Sequence, residues 1–208
     1  MRTLASLVAV LALMVAACSA PPVPRDQFYR LSGGSPTQRF ATPPIEGSLA
    51  VNRLRADGLV SQRPILFSTL EHPNRLEQHS YHYWIEIPPV MLRDSLMVYL
   101  EQANIAPSIA LGDARHRAGC ELSANLRRME HVVSGGQPST AVIEVQFQLE
   151  RVNDAAILLN RTYRAEQVAL ALTVDSTAAA FDQALAALFV RLISDLAAAT
   201  PTCPAPVS

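Results

Sequence analysis

Apolar residues recur with two distinct periods along this chain. Leu122, Ala124 and Leu126 alternate with Ser123, Asn125 and Arg127, and Ile143, Val145, Phe147 and Leu149 alternate with Glu144, Gln146, Gln148 and Glu150. A period of two puts the apolar side chains on one face, so both segments predict strands covered on one side. The turn pair Asn153-Asp154 leads into Ala156 to Gln167, where Leu159, Tyr163 and Ala165 can share a face. The three strands together predict an antiparallel meander.

Two other stretches follow the helical period. From Val90 to Asn104, residues Leu92, Leu96, Tyr99, Leu100 and Ala103 form one stripe, Pro88-Pro89 suits a helix start, and Asp94 lies in the first turn. Asn104 and Pro107 mark its end. From Ser176 to Ala199 the stripe is Phe181, Leu185, Leu188, Leu192 and Leu196, with Asp175 or Ser176 as N-cap. Upstream, Asp26 to Leu31, Ser48 to Leu54, Ile65 to Leu70 and Tyr81 to Ile87 read as short strands, and the Gly/Pro-rich stretch Gly33 to Pro44 as a loop. The expected fold is α+β: a single-domain sandwich of a largely antiparallel sheet with two main amphipathic helices on it, spanning 26–199. A Pro-rich tail, 200–208, follows, and no internal repeat argues for a second domain.

The first residues follow neither pattern. Arg2 precedes an apolar run from Leu4 to Val15, and small residues then lead into Cys18. The run is shorter than the roughly 20 residues a membrane span needs. The order of charge, apolar run, small residues and cysteine predicts a lipoprotein signal peptide over 1–17, with lipid carried on Cys18. An ordinary cleaved signal or a buried N-terminal helix is the competing reading. Pro21, Pro22 and Pro24 make 18–25 a short extended linker between lipid and fold.

Composition narrows the function classes. Half of the 208 residues are hydrophobic and 17% are charged, as in a folded globular domain. The net charge of −1 and the lack of a basic tract argue against a nucleic-acid partner. All 17 basic residues are arginine, which fits a coding bias better than a chemical role. With Cys18 lipidated, Cys120 and Cys203 remain as an even pair in a compartment that permits disulfides. A bridge between them would pin the Pro201 to Pro206 tail to the domain; two unpaired thiols are the alternative.

Candidate chemistry is sparse. His72, His79 and His82 lie close in sequence, but on a regular strand positions three apart face opposite sides, and no cysteine or acidic pair completes a metal-ligand spacing. No metal site is expected, and the histidines read as surface or edge residues. Ser35 and Ser134 border glycines without forming a nucleophile elbow. Gly33-Gly34 and Gly135-Gly136 lack the Lys-Ser or Lys-Thr of a phosphate loop. Glu71, Glu77 and Glu86 read as a solvated loop face. No catalytic residue and no cofactor is expected beyond the lipid on Cys18. Two apolar or aromatic groupings lie outside the amphipathic elements: Ile65-Leu66-Phe67 and Tyr81-His82-Tyr83-Trp84. Trp84 is expected in the core, and Ile65, Leu66, Phe67, Tyr81 and His82 are the candidate partner surface.

The lipobox, Phe28-Tyr29-Arg30-Leu31, the strand Leu49 to Leu54, Arg63-Pro64-Ile65-Leu66 ahead of Trp84, and the helix–meander–helix order together resemble the ABC-type transport auxiliary lipoprotein family. The resemblance covers essentially the whole mature chain. Two features depart from the family pattern: Trp84-Ile85-Glu86-Ile87-Pro88-Pro89 replaces its usual segment after the tryptophan, and Glu71 to His82 is rich in histidine. Membership implies a non-enzymatic accessory role in intermembrane lipid transport, with mammalian-cell-entry (MCE) domain proteins and an inner-membrane ABC transporter as partners. The resemblance places the domain at the outer membrane, lipid-anchored and facing the periplasm, and Ser19 after Cys18 is compatible with that sorting. A homo-oligomer capping a multimeric conduit is compatible with this role, although no residue pattern demands one. The alternative is an envelope lipoprotein serving peptidoglycan synthesis or secretion; the short linker speaks against reaching through the peptidoglycan.

Overall fold

A computed structural model describes residues 23–112 and 118–204. The signal segment 1–17, Cys18 with most of the linker, His116 and the last four residues lie outside the described residues. In chain order the elements are β1 (Gln27–Tyr29), β2 (Glu46–Val51), β3 (Arg55–Ala56), β4 (Pro64–Thr69), β5 (Glu77–Trp84), α1 (Pro88–Ala103), β6 (Ser108–Leu111), β7 (Cys120–Ser134), β8 (Gln137–Arg151), β9 (Ala156–Val168), α2 (Val174–Ala199) and β10 (Thr202–Cys203).

The segments with the cleanest alternation form the backbone of the sheet. β7, β8 and β9 pair antiparallel in the expected meander, from Cys120 opposite Arg151 to Ser134 opposite Gln137, and from Thr140 opposite Val168 to Arg151 opposite Ala156. The other edge of β7 is filled by three short segments in succession, all parallel to it: Leu49–Val51 at its start, Arg55-Ala56 in the middle and Phe67–Thr69 near its end. The sheet is therefore mixed. Its antiparallel part is the meander and the β4–β5 pair, while β6 and β10 add to β2 in parallel and β1 adds to β5 in parallel. Two-residue and four-residue strands such as β10 and β6 are too short to show a period, so the chain pattern does not announce them.

Both helices cover one face of this sheet. Leu92, Leu96, Tyr99 and Leu100 of α1 and Phe181, Leu185, Leu188, Leu192 and Leu196 of α2 are all buried in one core with Leu49, Leu122, Val145 and Phe147. Trp84 is 1% exposed and meets Phe181 edge-to-face at 5.4 Å. α2 is long and apolar enough to cross a membrane by length and composition, but its stripe is spent on this core. Its cap is Thr173, one turn earlier than expected, whose hydroxyl accepts from the Ser176 N–H. The Tyr163 hydroxyl and the Arg161 guanidinium both donate to Asp195 on α2, tying the helix to β9. Asn104 caps α1 in the left-handed region and its side-chain amide donates to Phe40 O, which docks the Gly33–Pro44 loop against the helix end.

At the start of β7, Cys120 and Cys203 form a disulfide with Cα atoms 5.1 Å apart, closing a separation of 83 residues. β10 is drawn in so closely that a side chain at Gly47, whose φ is 107°, or at Gly119 would overlap the Cys203 carbonyl. Glycine is required at Gly47 by both its backbone angle and this approach.

Two members of the expected partner surface are core residues instead. Ile65 is 0% exposed, within the core cluster, and Leu66 3%, on a strand that lies between β5 and β7 and not at an edge. Neither can contribute to a free docking surface.

Candidate functional site

The most unusual geometry lies where β4, β5 and the end of β7 meet. Pro64 pairs with Tyr83 but Leu66 pairs with Gln78, so β5 advances five residues while β4 advances two. The surplus residues His79 to His82 form a wide bulge, and Tyr81 sits there at φ 63°, a left-handed conformation that costs a non-glycine residue free energy. The bulge also begins β5 at Glu77, four residues earlier than its apolar pattern suggests.

The bulge reverses the expected placement of the histidines. On a regular strand His79 and His82 would face opposite sides; the turn at Tyr81 brings their rings to 5.7 Å, edge to face. His131, from β7, lies edge to edge with His79 in nearly the same plane (9° apart), with ring centroids 4.9 Å apart and the two Nε2 atoms at 2.7 Å. Phe67 packs against both rings, at 4.7 Å from His79 and 5.9 Å from His131. His131 is 3% exposed and its Nδ1 has no partner. A buried acceptor without a partner costs less than a buried N–H without one, which favours the tautomer in which Nε2 of His131 donates to His79. Burial, reinforced by His79, pushes the His131 imidazole down to about 3, and burial with the neighbouring His82 lowers His79. Both rings are neutral at ordinary pH, and one proton is shared across the contact.

On the outer side of the bulge, Tyr29 of β1 stacks on His82, and its hydroxyl lies 2.9 Å from His82 Nδ1 while donating to Gln27 Oε1. Burial and the Asp175 carboxylate at the start of α2 push the Tyr29 phenol up to about 12. A second buried polar pair lies beside the first, on β4 and β7: Ser68 donates to Glu130, which also accepts from Arg128. The cluster thus links the N-terminal strand, the bulge, β7 and the first turn of α2.

Of the expected partner-surface residues, Phe67, Tyr81 and His82 gather at this bulge and are half-buried, while Ile65 and Leu66 lie beneath it in the sheet. Local spacing does not reveal His131, which is 52 residues from His79. Its one signal is parity: it occupies a position in phase with Met129, on the covered face of β7. Among the described residues, no group of three or more His, Cys, Asp or Glu is arranged to hold a metal ion. A separate groove of about 800 Å³ runs over the sheet along Asn52, Arg55, Ser123, Asn125 and Gln146. Among the described residues its lining is amide, hydroxyl and guanidinium, with no carboxylate, imidazole or thiol.

The same architecture is found in solved structures. Protein XCC0632 from Xanthomonas campestris superposes with a TM-score of 0.73 at 21% identity, covering 83% of this chain and 96% of that one. The hypothetical protein CT253 from Chlamydia trachomatis gives 0.50 at 7% identity, over 74% of this chain and 98% of that one. At such identities the likeness shows the fold. No protein of curated function matches the sequence. The family model for the ABC-type transport auxiliary lipoprotein component matches residues 29–192, from Tyr29 of the bulge cluster to the last turns of α2. By that match over most of its length, the chain belongs to the ABC-type transport auxiliary lipoprotein family.

Proposed function

We propose that this protein is a non-enzymatic, outer-membrane-anchored lipoprotein that docks the periplasmic end of an MCE/ABC-type lipid transport system. Family membership carries the reading. Lipid on Cys18 would hold the domain at the membrane: each buried methylene of an acyl chain contributes about 0.8 kcal/mol, so several chains make a firm anchor. Tethering raises the local concentration of a docking surface without any chemistry. That surface is the β5 bulge, where Tyr81, His82 and Phe67 offer aromatic contact on a backbone held away from regular pairing.

Crosslinking in cells, followed by detergent pull-down and mass spectrometry, tests the role. Recovery of an MCE-domain protein, lost on Tyr81→Ala with His82→Ala, is the expected result. Recovery of a peptidoglycan synthase or a secretion component instead would replace this reading with one of an interaction module for those systems. Intact mass of the mature protein, shifted by a diacylglyceryl group and an amide-linked acyl chain at Cys18, checks the anchor.

A further inference from the structure

One end of the sheet gathers exposed leucines on an ordered frame. Leu70 is 61% exposed just after β4, and its N–H donates to Val133 O near the tip of the β7–β8 hairpin. Val168, 54% exposed, pairs with Thr140 on the same end. The β9–α2 connection that follows carries Leu170 at 90% and Leu172 at 68% exposure. This connection is pinned: Ala169 N–H donates to Ser139 O, and the N–H groups of Leu170 and Ala171 both donate to Ser176 Oγ, at 2.8 and 2.9 Å. Four exposed aliphatic side chains at one end of the sheet, two of them on a pinned loop, make this end a candidate for contact with something apolar.

Where the chain enters the fold identifies what it meets. β5 runs antiparallel to β4, and Glu77 at its start pairs with Phe67 near the end of β4. β1 runs parallel to β5, with Gln27 beside His82. β1 therefore runs away from the hairpin end, and the residues ahead of it, from Val23 (74% exposed), lead back toward that end. Val23 is five residue steps from Cys18, which at about 3.1 Å per step in the extended form that Pro21 and Pro22 favour is a reach of about 15 Å. The chain therefore enters β1 from the end that carries the leucines, and an extended chain would put a lipid on Cys18 within about 15 Å of Val23.

We infer that the hairpin end is a bilayer-contacting face, with Leu70, Val168, Leu170 and Leu172 inserting into the leaflet that holds the Cys18 anchor. This rests on the anchored reading above and adds an orientation to it: β7 stands with its last residues toward the lipid and its disulfide-bonded start toward the periplasm. Glu71 and Asp175 lie next to the leucines in the chain, so the contact rests on apolar insertion and not on attraction to anionic headgroups.

The test places a tryptophan at the tip. Trp84 is buried, so Leu170→Trp adds a reporter that brominated acyl chains can quench selectively. Ile157→Trp, 58% exposed at the opposite end of β9, is the control. With the lipidated protein in phosphatidylethanolamine/phosphatidylglycerol vesicles, the expected result is a blue shift and bromine quenching at 170 and neither at 157. Emission at 170 that stays water-like on the vesicles overturns the inference. A concentration-dependent blue shift at 170 without vesicles overturns it in favour of a second copy of the chain. Should Cys18 prove to carry no lipid by mass, the anchored reading fails on its own; coupling its thiol to a maleimide-bearing lipid restores the same tether, and the tryptophan readout still decides the docking.

Discussion

The two ends of β7 are built on opposite principles. Its first residue, Cys120, is covalently tied to β10, packed against glycines that admit the Cys203 carbonyl, and surrounded by fully buried apolar side chains. Its last turns carry buried polar groups, His131, Glu130 and Ser68, beside a bulged partner strand and a rim of exposed leucines. One end is closed by packing that pH does not touch; the other is held by hydrogen bonds that depend on which nitrogen carries a proton. Stability is concentrated at the disulfide end and environmental sensitivity at the hairpin end, where the proposed partner and membrane contacts lie.

The sharpest way to break this contrast is at the disulfide. The chain-entropy model gives a loop of this size about 4 kcal/mol, so Cys203→Ser should lower the unfolding free energy by about that amount in urea denaturation. Thiol titration of the denatured protein should find no free Cys120 or Cys203 until reductant is added. Gly47→Val comes next. It forces a β-branched residue into φ 107° and against the Cys203 carbonyl, and should cost about 3 kcal/mol with the bulge geometry unchanged. A loss near zero in either variant would show that the C-terminal strand is not part of the cooperative unit.

The hairpin end should answer to pH instead. The unfolded chain protonates His131 as pH falls below its ordinary 6.5, whereas the folded imidazole resists down to about 3. Stability is therefore unaffected above pH 6.5 and falls progressively between 6.5 and about 3, by up to about 1.4 kcal/mol for each pH unit. His79, lowered in the same sense, adds to the slope. In His131→Gln the slope of unfolding free energy between pH 6.5 and 5 should flatten by about one proton's worth, even if the variant is less stable at pH 7. A parallel pH profile in variant and parent would mean that this imidazole is solvated in solution.

How much of this contrast can be read from the chain follows from the same physics. The meander, both helices and the burial of Trp84 are legible because long elements repeat their period many times, and each repeat reinforces the last. The even cysteine pair makes the closed end legible too. The bulge is not, because an irregular insertion breaks the very period by which strands are recognised: His79 and His82 fall on opposite sides by parity and on one side in the fold. Ile65 and Leu66 mislead for a related reason. An apolar triplet with no visible amphipathic partner looks like a contact surface, yet Ile65 and Leu66 point to opposite faces of β4 and both are buried, the pattern of a strand covered on both sides. His131 is hidden by distance along the chain.

The smallest effect on stability belongs to the residues with the largest proposed effect on placement. Leu170→Ser with Leu172→Ser removes side chains that are 90% and 68% exposed while leaving the Ser176 bonds to the backbone of the loop intact. Urea denaturation should register a change within about 0.5 kcal/mol, since exposed positions away from caps and packing contribute little. The same pair should leave protease cleavage of the Val23–Arg25 linker unchanged in detergent and speed it on vesicles, because only there would the leucines hold the linker against lipid. A destabilisation of several kcal/mol would mean instead that these leucines pack on the protein itself in solution, and the asymmetry between the two ends of β7 would then be one of chemistry alone and not of exposure to a membrane.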